Sequence, residues 1–306
     1  MRLQVRSSMR GPILAVLLIL TGALQAVFAL PNTAPQSHFF LTRDGVRLHY
    51  IEAGAGPHTI IFVPGWTMPG WIFDRQMAYF SQNYHVIALD PRGQGQSQIA
   101  HDGYDQNRRG ADIGDLIAHV GGGPPVLVGW SLGVLDVLAY VHQAQGRGLA
   151  GLVLIDNSVG ENPPPVMRPK PPRSMLKLHK PAPPLPAAVL WGAHMRRFVR
   201  GMFAHPPGQA YLNRLTQAAL RTPPWAARRL LAYPVPRSFW RDALYTAPIP
   251  ILYVVRPRWA GQAANVAAHP NAQSVVFTGV GHALFVDQPD RFNSTMQNFL
   301  SSKIWP

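Results

Sequence analysis

Val126-Leu127-Val128-Gly129-Trp130-Ser131-Leu132-Gly133 is an apolar, largely β-branched run that stops at a serine flanked by glycines, in the pattern G-x-S-x-G. Such a run predicts a buried strand. A helix must then begin within one or two residues, which drives the serine into a strained backbone conformation and demands glycine where a side chain would clash. The hydroxyl of Ser131 is thereby lifted above the sheet edge, at the positive end of the helix opening with Leu132. A bare pentapeptide of this kind also arises by chance in turns. Here Gly121-Gly122-Gly123-Pro124-Pro125 starts the strand, and Leu132, Val134, Leu135, Val137, Leu138 and Val141 continue in an apolar helical pattern. Strand, serine and helix follow in the order that a nucleophile elbow requires.

Outward from the elbow, strands alternate with helices. His38–Thr42 and Val46–Glu52 predict two strands around the turn Arg43-Asp44-Gly45. Thr59–Val63 and His85–Leu89 are continuously apolar, as expected of strands covered on both faces. Helices are predicted over Trp71–Phe80 and Gln106–Val120. Beyond the elbow, Leu152–Ile155 is a further buried strand ending at Asp156; Ile249–Val255 and Ser274–Phe277 complete the set, and Phe292–Leu300 belongs to a closing helix. This alternation predicts an α/β fold with a mostly parallel, doubly wound sheet.

Between Asn157 and Ala247 the character changes. Sixteen of the 31 prolines fall here, including Pro163-Pro164-Pro165, so the first part reads as an extended arm. Helical patches follow at Ala187–Phe203, Gln209–Leu220 and Trp225–Leu231. The segment is too long for a loop and too irregular for a sheet core, which predicts an inserted, Pro-rich helical lid. It also carries the charge: the chain is +14 overall, and this stretch sets fourteen basic residues against Glu161 and Asp242 alone.

The 306 residues suffice for one α/β domain with an insertion or for two modest domains, and 47% hydrophobic content with eight tryptophans excludes disorder over the whole length. The absence of cysteine excludes disulfides, thiolate catalysis and Cys-ligated metal. Residues 1–29 read as a secretory signal: Arg2, Arg6 and Arg10 precede an apolar stretch beginning Pro12-Ile13-Leu14, and Val27-Phe28-Ala29 offers a cleavage site after Ala29, with Ala26 as a second candidate. The rival is an uncleaved anchor, which Thr21, Gly22 and Gln25 weaken. The expected organisation is a signal at 1–29, a core in two parts (30–156 and 248–306) and a lid at 157–247, in an exported, periplasmic or secreted protein.

Four segments together resemble the α/β-hydrolase superfamily over essentially the whole mature chain: Phe62-Val63-Pro64-Gly65-Trp66, Asp90-Pro91-Arg92-Gly93-Gln94-Gly95-Gln96-Ser97, Gly129-Trp130-Ser131-Leu132-Gly133 and Gly281-His282-Ala283-Leu284-Phe285. The resemblance implies an α/β-hydrolase fold in which Ser131 is the nucleophile. His282, in a glycine-rich loop after the last strand, would be its base. The commoner family pattern puts the acid in the loop after the strand ending at Val255, but Arg256-Pro257-Arg258-Trp259-Ala260-Gly261 holds no carboxylate. Some members resemble this chain in taking the acid one strand earlier, which makes Asp156 the candidate and Glu161 the reserve; Asp136 should point elsewhere. By the same resemblance the backbone N–H groups of Trp66 and Leu132 would form the oxyanion hole, with Pro64-Gly65 standing where many relatives have His-Gly. Trp66, Met68 and Trp130 could line a substrate pocket, and Trp71 either joins them or belongs to the core. Asp90–Ser97 reads as a structural turn, since its Gly-x-Gly lacks a phosphate-loop continuation.

The function this implies is hydrolysis of a carboxylic ester through an acyl-enzyme. No cofactor or metal is expected. A serine at 131 excludes the haloalkane dehalogenase and epoxide hydrolase chemistries, which resemble this architecture but use aspartate there. Lactonase, amidase or aminopeptidase, C–C hydrolase and cofactor-free perhydrolase activities share the machinery and stay open. A different class is an envelope-surface binding protein, with Arg196, Arg197, Arg200, Arg228 and Arg229 of the lid meeting anionic lipid or polysaccharide. Nucleic acid is not an expected partner.

Overall fold

The computed structural model describes residues 34–161 and 187–306. The leader at 1–29 and the Pro-rich arm at 163–184 lie outside the described residues.

Eight strands form one sheet among the described residues: β1 (Gln36–Leu41), β2 (Arg47–Ala53), β3 (Thr59–Val63), β4 (His85–Asp90), β5 (Val126–Trp130), β6 (Gly151–Ile155), β7 (Ile251–Val255) and β8 (Ala272–Val276). Their spatial order is β1-β2-β4-β3-β5-β6-β7-β8. β2 runs antiparallel to both of its neighbours, β1 and β4, and all the other pairings are parallel. β3, β5, β6 and β7 are buried at every position, which explains why they read as unbroken apolar runs rather than as alternation. The strand expected from Ile249 joins the sheet only at Ile251, paired with Leu152. Pro248 and Pro250 have no N–H to give to a ladder.

Helices cover both faces. Side chains from one set of alternate strand positions, such as Ile61, Leu127, Leu154 and Tyr253, pack with α2 (Gln106–Val120), α3 (Leu132–Ala144), α7 (Arg237–Thr246) and α8 (Ala260–Ala267). The other set, including Phe62, Val128, Ile155 and Val254, packs with α1 (Asp74–Phe80) and α10 (Pro289–Phe299). α2 has the bounds its apolar spacing predicts. The Asp105 carboxylate accepts from the N–H groups of Asn107 and Arg108 at its start, and Gly121 ends it at a φ of 69°. The helix expected over Trp71–Phe80 divides into a 3-10 turn, Gly70–Phe73, followed by α1.

The described part of the insertion contains α4 (Ala187–Gly201), α5 (Gln209–Leu220), α6 (Pro224–Leu230) and α7. α7 is additional to the helical patches expected, although Trp240, Ala243 and Leu244 recur at helical spacing behind Pro236. Its Trp240, Ala243 and Leu244 are buried in the core cluster shared with α3. α4 and α5 bury Met195, Val199, Leu212 and Leu215 on the opposite face. Several lid cations are fixed to the core: Arg221 Nε donates to Gly95 O (2.6 Å), Arg229 Nη1 to His101 O (2.7 Å), and Arg214 lies 4.0 Å over the Trp71 ring. With Thr222 Oγ1 donating to Gly93 O (2.8 Å), the Asp90–Ser97 turn becomes the seat of the lid. No helix among the described residues is long and apolar enough to cross a membrane.

Candidate active site

Strand register assembles the site. Gly129 lies beside both Val63 and Leu154, and Ile155 lies beside Val254, so the chain leaves β3, β5, β6 and β7 side by side at one edge of the sheet. Ser131 N donates to Ile155 O, Asp156 N to Val254 O and Phe277 N to Val255 O, at 2.9, 2.9 and 2.7 Å. Parallel sheets bind ligands at such carboxyl edges, where the chain order reverses. Ser131, Asp156 and Arg256, the first residues past β5, β6 and β7, therefore meet around His282, while Phe277, past β8, turns into the core.

Ser131 sits at the strand-to-helix turn with φ 55° and ψ −119°. For a residue with a Cβ this is a strained region. The turn is so tight that a Cβ on Gly129 would stand 2.5 Å from Gly133 O, and one on Gly133 would overlap Val63 O. Asn157 Nδ2 donates to Ser131 O (2.7 Å) and holds the turn from the side.

Ser131 Oγ is 2.8 Å from His282 Nε2, and His282 Nδ1 is 2.6 Å from Asp156 Oδ2. Asp156 is 1% exposed and itself has φ 51°, a conformation that aspartate tolerates better than most residues. Its other contacts are to the residue in the position of the missing acid. Arg256 N donates to Oδ1 (2.9 Å) and Arg256 Nε to Oδ2 (2.6 Å), while Arg256 Nη2 lies 3.3 Å from His282 Nδ1. With a carboxylate on Nδ1, that nitrogen carries the proton and Nε2 is free to accept from the serine. Glu161 Oε2 instead accepts from Asn265 Nδ2 at 3.3 Å. Asp136 is buried away from the crevice, 3.1 Å from Arg109 Nε, and burial, against the pull of Arg109, pushes its carboxyl up to about 6.

The loop bearing His282 is pinned on both sides. Trp130 Nε1 donates to His282 O (2.9 Å), with the two rings 5.1 Å apart. The Asp287 carboxylate accepts from Gly281 N (2.6 Å) and, across to the lid, from Ala204 N (2.9 Å) and His205 N (3.2 Å). Nothing in the sequence marked Asp287, Asn157 or Arg256 for these roles. Each acts across a distance in sequence that only the folded chain closes.

The loop after β3 passes so close that a Cβ on Gly65 would stand 2.9 Å from Ser131 Cβ. Among the described residues, the N–H groups of Trp66 and Leu132 donate to no protein acceptor. Thr67 N is held by Gln94 Oε1 at 2.5 Å. The indole of Trp66 reaches the lid, with Nε1 donating to Ala227 O (2.7 Å) and the ring 5.0 Å from that of Phe198. Two expectations are corrected here. Met68 and Trp130 are 0% and 1% exposed, packed in the core that the β3–β5 face shares with α1, so neither offers surface to a substrate. Trp71 packs against Tyr211 of the lid beneath Arg214.

The same residue types recur elsewhere. Ser37 Oγ is 2.7 Å from His49 Nε2, and His49 Nδ1 is 2.7 Å from Asp90 Oδ2. Ser37, however, lies within the regular β1–β2 ladder opposite Ile51, with no strained turn and no helix start behind it. Asp90 also accepts from Gly70 N and Gln96 N, both at 2.6 Å, which ties the turn after β4. No group of three His, Asp or Glu side chains among the described residues is arranged to hold a metal ion.

Residues 60–295 match the model of the alpha/beta hydrolase family. Over 119 residues the chain is 36% identical to a non-heme haloperoxidase of Rhodococcus erythropolis and, over another alignment of 119 residues, 32% identical to a bifunctional esterase/perhydrolase of Acinetobacter calcoaceticus. Each alignment takes in 38% of this chain and 43% of the relative, so the chain spans less than half the length of the curated relatives it matches. In three dimensions it is similar to an esterase from Rhodococcus sp. ECU1013 (TM-score 0.71, 21% identity, 87% of this chain and 99% of that one). It is also similar to a bromoperoxidase from Bacillus anthracis (TM-score 0.70, 19% identity, 87% and 100%). At these identities the structural likeness speaks to the fold.

Proposed function

The chain belongs to the alpha/beta hydrolase family, and on that premise we propose that it is a serine hydrolase of carboxylic esters. The observation that carries this reading is the continuous relay from Ser131 Oγ through His282 to Asp156, at 2.8 and 2.6 Å. Ser131 Oγ attacks the ester carbonyl as Nε2 takes its proton. Asp156 steadies the imidazolium, and the N–H groups of Trp66 and Leu132 receive the oxyanion. The imidazolium then protonates the departing alcohol. Water, activated by the same nitrogen, releases the acid from Ser131.

Turnover of p-nitrophenyl acetate and butyrate, with fluorophosphonate labelling, tests this reading. Ser131→Ala should abolish labelling and lower kcat by roughly 10⁴-fold or more. Equal turnover by both proteins would remove the proposal. A second use of the acyl-enzyme, transfer to hydrogen peroxide in place of water, is supported by the Acinetobacter relative described as an esterase/perhydrolase. Peracid formation from acetate and peroxide that is lost in Ser131→Ala would establish it. Export remains a proposal resting on residues 1–29 alone, checked by fractionation of expressing cells. Docking of exposed Arg196, Arg200 and Arg228 on an anionic envelope surface is a further proposal; Arg229 is less suited to it, since its guanidinium is held by His101 O.

A further inference from the structure

We infer that a cleft beside His282 receives an anionic group of the substrate, so that the ester cleaved carries a carboxylate, or a group of like charge, a short spacer from the scissile bond. This deepens the ester-hydrolase reading and rests on it. The cleft has a volume of about 480 Å³ and is lined by His194, Arg197, Phe198, Arg256, Arg258 and His282, among others. It therefore opens on the imidazole whose far nitrogen contacts Ser131 Oγ. Three guanidinium groups border one cavity, and one carboxylate answers them. That carboxylate is Asp156, which is buried and ion-paired with Arg256 at 2.6 Å, so Arg256 and Asp156 cancel.

Arg197 and Arg258 are left over. Both are exposed, and among the described residues neither meets a carboxylate; the Arg258 guanidinium rests 4.9 Å over the Trp259 ring. Residues 162–186, which precede α4, contain five lysines and arginines and no aspartate or glutamate, so that segment brings no counter-charge either. Phe198 and Met202 supply apolar wall between the cations. Like-signed charge around a cleft with low-dielectric walls concentrates the opposite charge there. Arginine in addition offers a fork that fits a carboxylate. A neutral ester leaves these two guanidiniums unanswered, whereas an anionic one answers them next to the general base.

The test compares esters matched except for charge. One pair carries it in the acyl half: 4-nitrophenyl hemiglutarate and its methyl ester. The other carries it in the alcohol half: 3-acetoxybenzoate and its methyl ester. The wild type should prefer the anionic member of at least one pair in kcat/KM. Arg197→Gln with Arg258→Gln should reduce that value roughly tenfold and leave the neutral member within about twofold. The preference should fade between about 0.01 M and about 0.5 M ionic strength. Glutarate dianion should slow fluorophosphonate labelling of Ser131 in the wild type and not in the double variant, a readout independent of turnover. No preference for charge in either pair, or equal losses on both members in the double variant, would overturn the inference while Ser131-dependent turnover of neutral esters kept the hydrolase reading. Absence of both labelling and ester turnover would overturn both.

Discussion

Asp156 and Arg256 leave neighbouring strands of the sheet as an ion pair, with Arg256 Nε 2.6 Å from the same Oδ2 that lies 2.6 Å from His282 Nδ1. One carboxylate oxygen thus holds both an imidazole and a guanidinium. Converting Asp156 to Asn would remove the negative charge beside the imidazole and replace one of two acceptor oxygens by a donor, which must then face either Arg256 N or the pair Arg256 Nε and His282 Nδ1. Asp156→Asn should lower kcat by roughly 10⁴-fold, while Glu161→Gln should stay within about twofold. Steady-state kinetics on a p-nitrophenyl ester checks this; the reverse ranking would transfer the role of acid to Glu161.

Asp287 accepts three backbone N–H groups, from Gly281, Ala204 and His205, and so joins the histidine loop to the lid. Asp287→Ala should speed amide hydrogen exchange at those three positions above all others. It should cost about 2 kcal/mol of stability, since hydrogen bonds to a charged group are lost together. With the imidazole less well held, kcat should drop by roughly tenfold or more.

Asp136 titrates at about 6 in the fold, against an ordinary value of 3.8. Between these values the folded protein keeps a proton that the unfolded chain has released. Stability from this group is therefore greatest below about pH 4, falls as pH rises to about 6 and is flat above. Unfolding free energies of wild type and Asp136→Asn, measured from pH 4 to 8, should shift relative to one another by on the order of 3 kcal/mol over the lower half of that range, in favour of the variant as pH rises. A gap that does not move with pH would exclude this assignment.

Arg92 is fully buried and forks onto Asp112, Nε to Oδ2 at 3.0 Å and Nη2 to Oδ1 at 2.8 Å, with Asp44 also 2.9 Å away. Removing it takes the forked contact from buried Asp112 and leaves that carboxylate only Arg108, at 3.0 Å. Arg92→Met should lose about 3–5 kcal/mol in urea unfolding. Arg92→Lys should recover only part of this loss, because an ammonium cannot make the forked contact.

Ser37, His49 and Asp90 repeat the active-site distances without its strained turn. Ser37→Ala should leave fluorophosphonate labelling and ester turnover within about twofold of wild type. Labelling that persisted on Ser37 in Ser131→Ala would show that the relay distances alone suffice.

The elbow was legible because its constraint is largely local: Gly129, Ser131 and Gly133 lie within five residues, and the clash that Gly129 avoids is with Gly133 O of that same turn, though Gly133 itself makes room for Val63 O of β3. Buried strands were legible for a similar reason, since covering both faces leaves an uninterrupted apolar run. The pairing of Asp156 with Arg256 spans a hundred residues and depends on the β6–β7 register, which no local pattern encodes. The empty acid position could be read, but not that an arginine would grip the substitute carboxylate. Met68 and Trp130 stand beside Trp66 and Ser131 along the chain, but nearness in sequence to a site residue does not place a side chain in the site. Trp130, at the end of β5, and Met68, in the loop after β3, both turn into the core that packs on α1. α7 has the amphipathic spacing of a helix in Trp240, Ala243 and Leu244, but that it packs on α3 rather than with the rest of the insertion is decided only when the chain folds back.

Trp66 belongs to two structures at once. Its main chain borders the nucleophile, and its indole N–H is fastened to Ala227 of α6. A bulky guest that pries α6 away must drag on the very peptide from which oxyanion stabilisation would come. Girth and speed would then be traded against each other through one side chain.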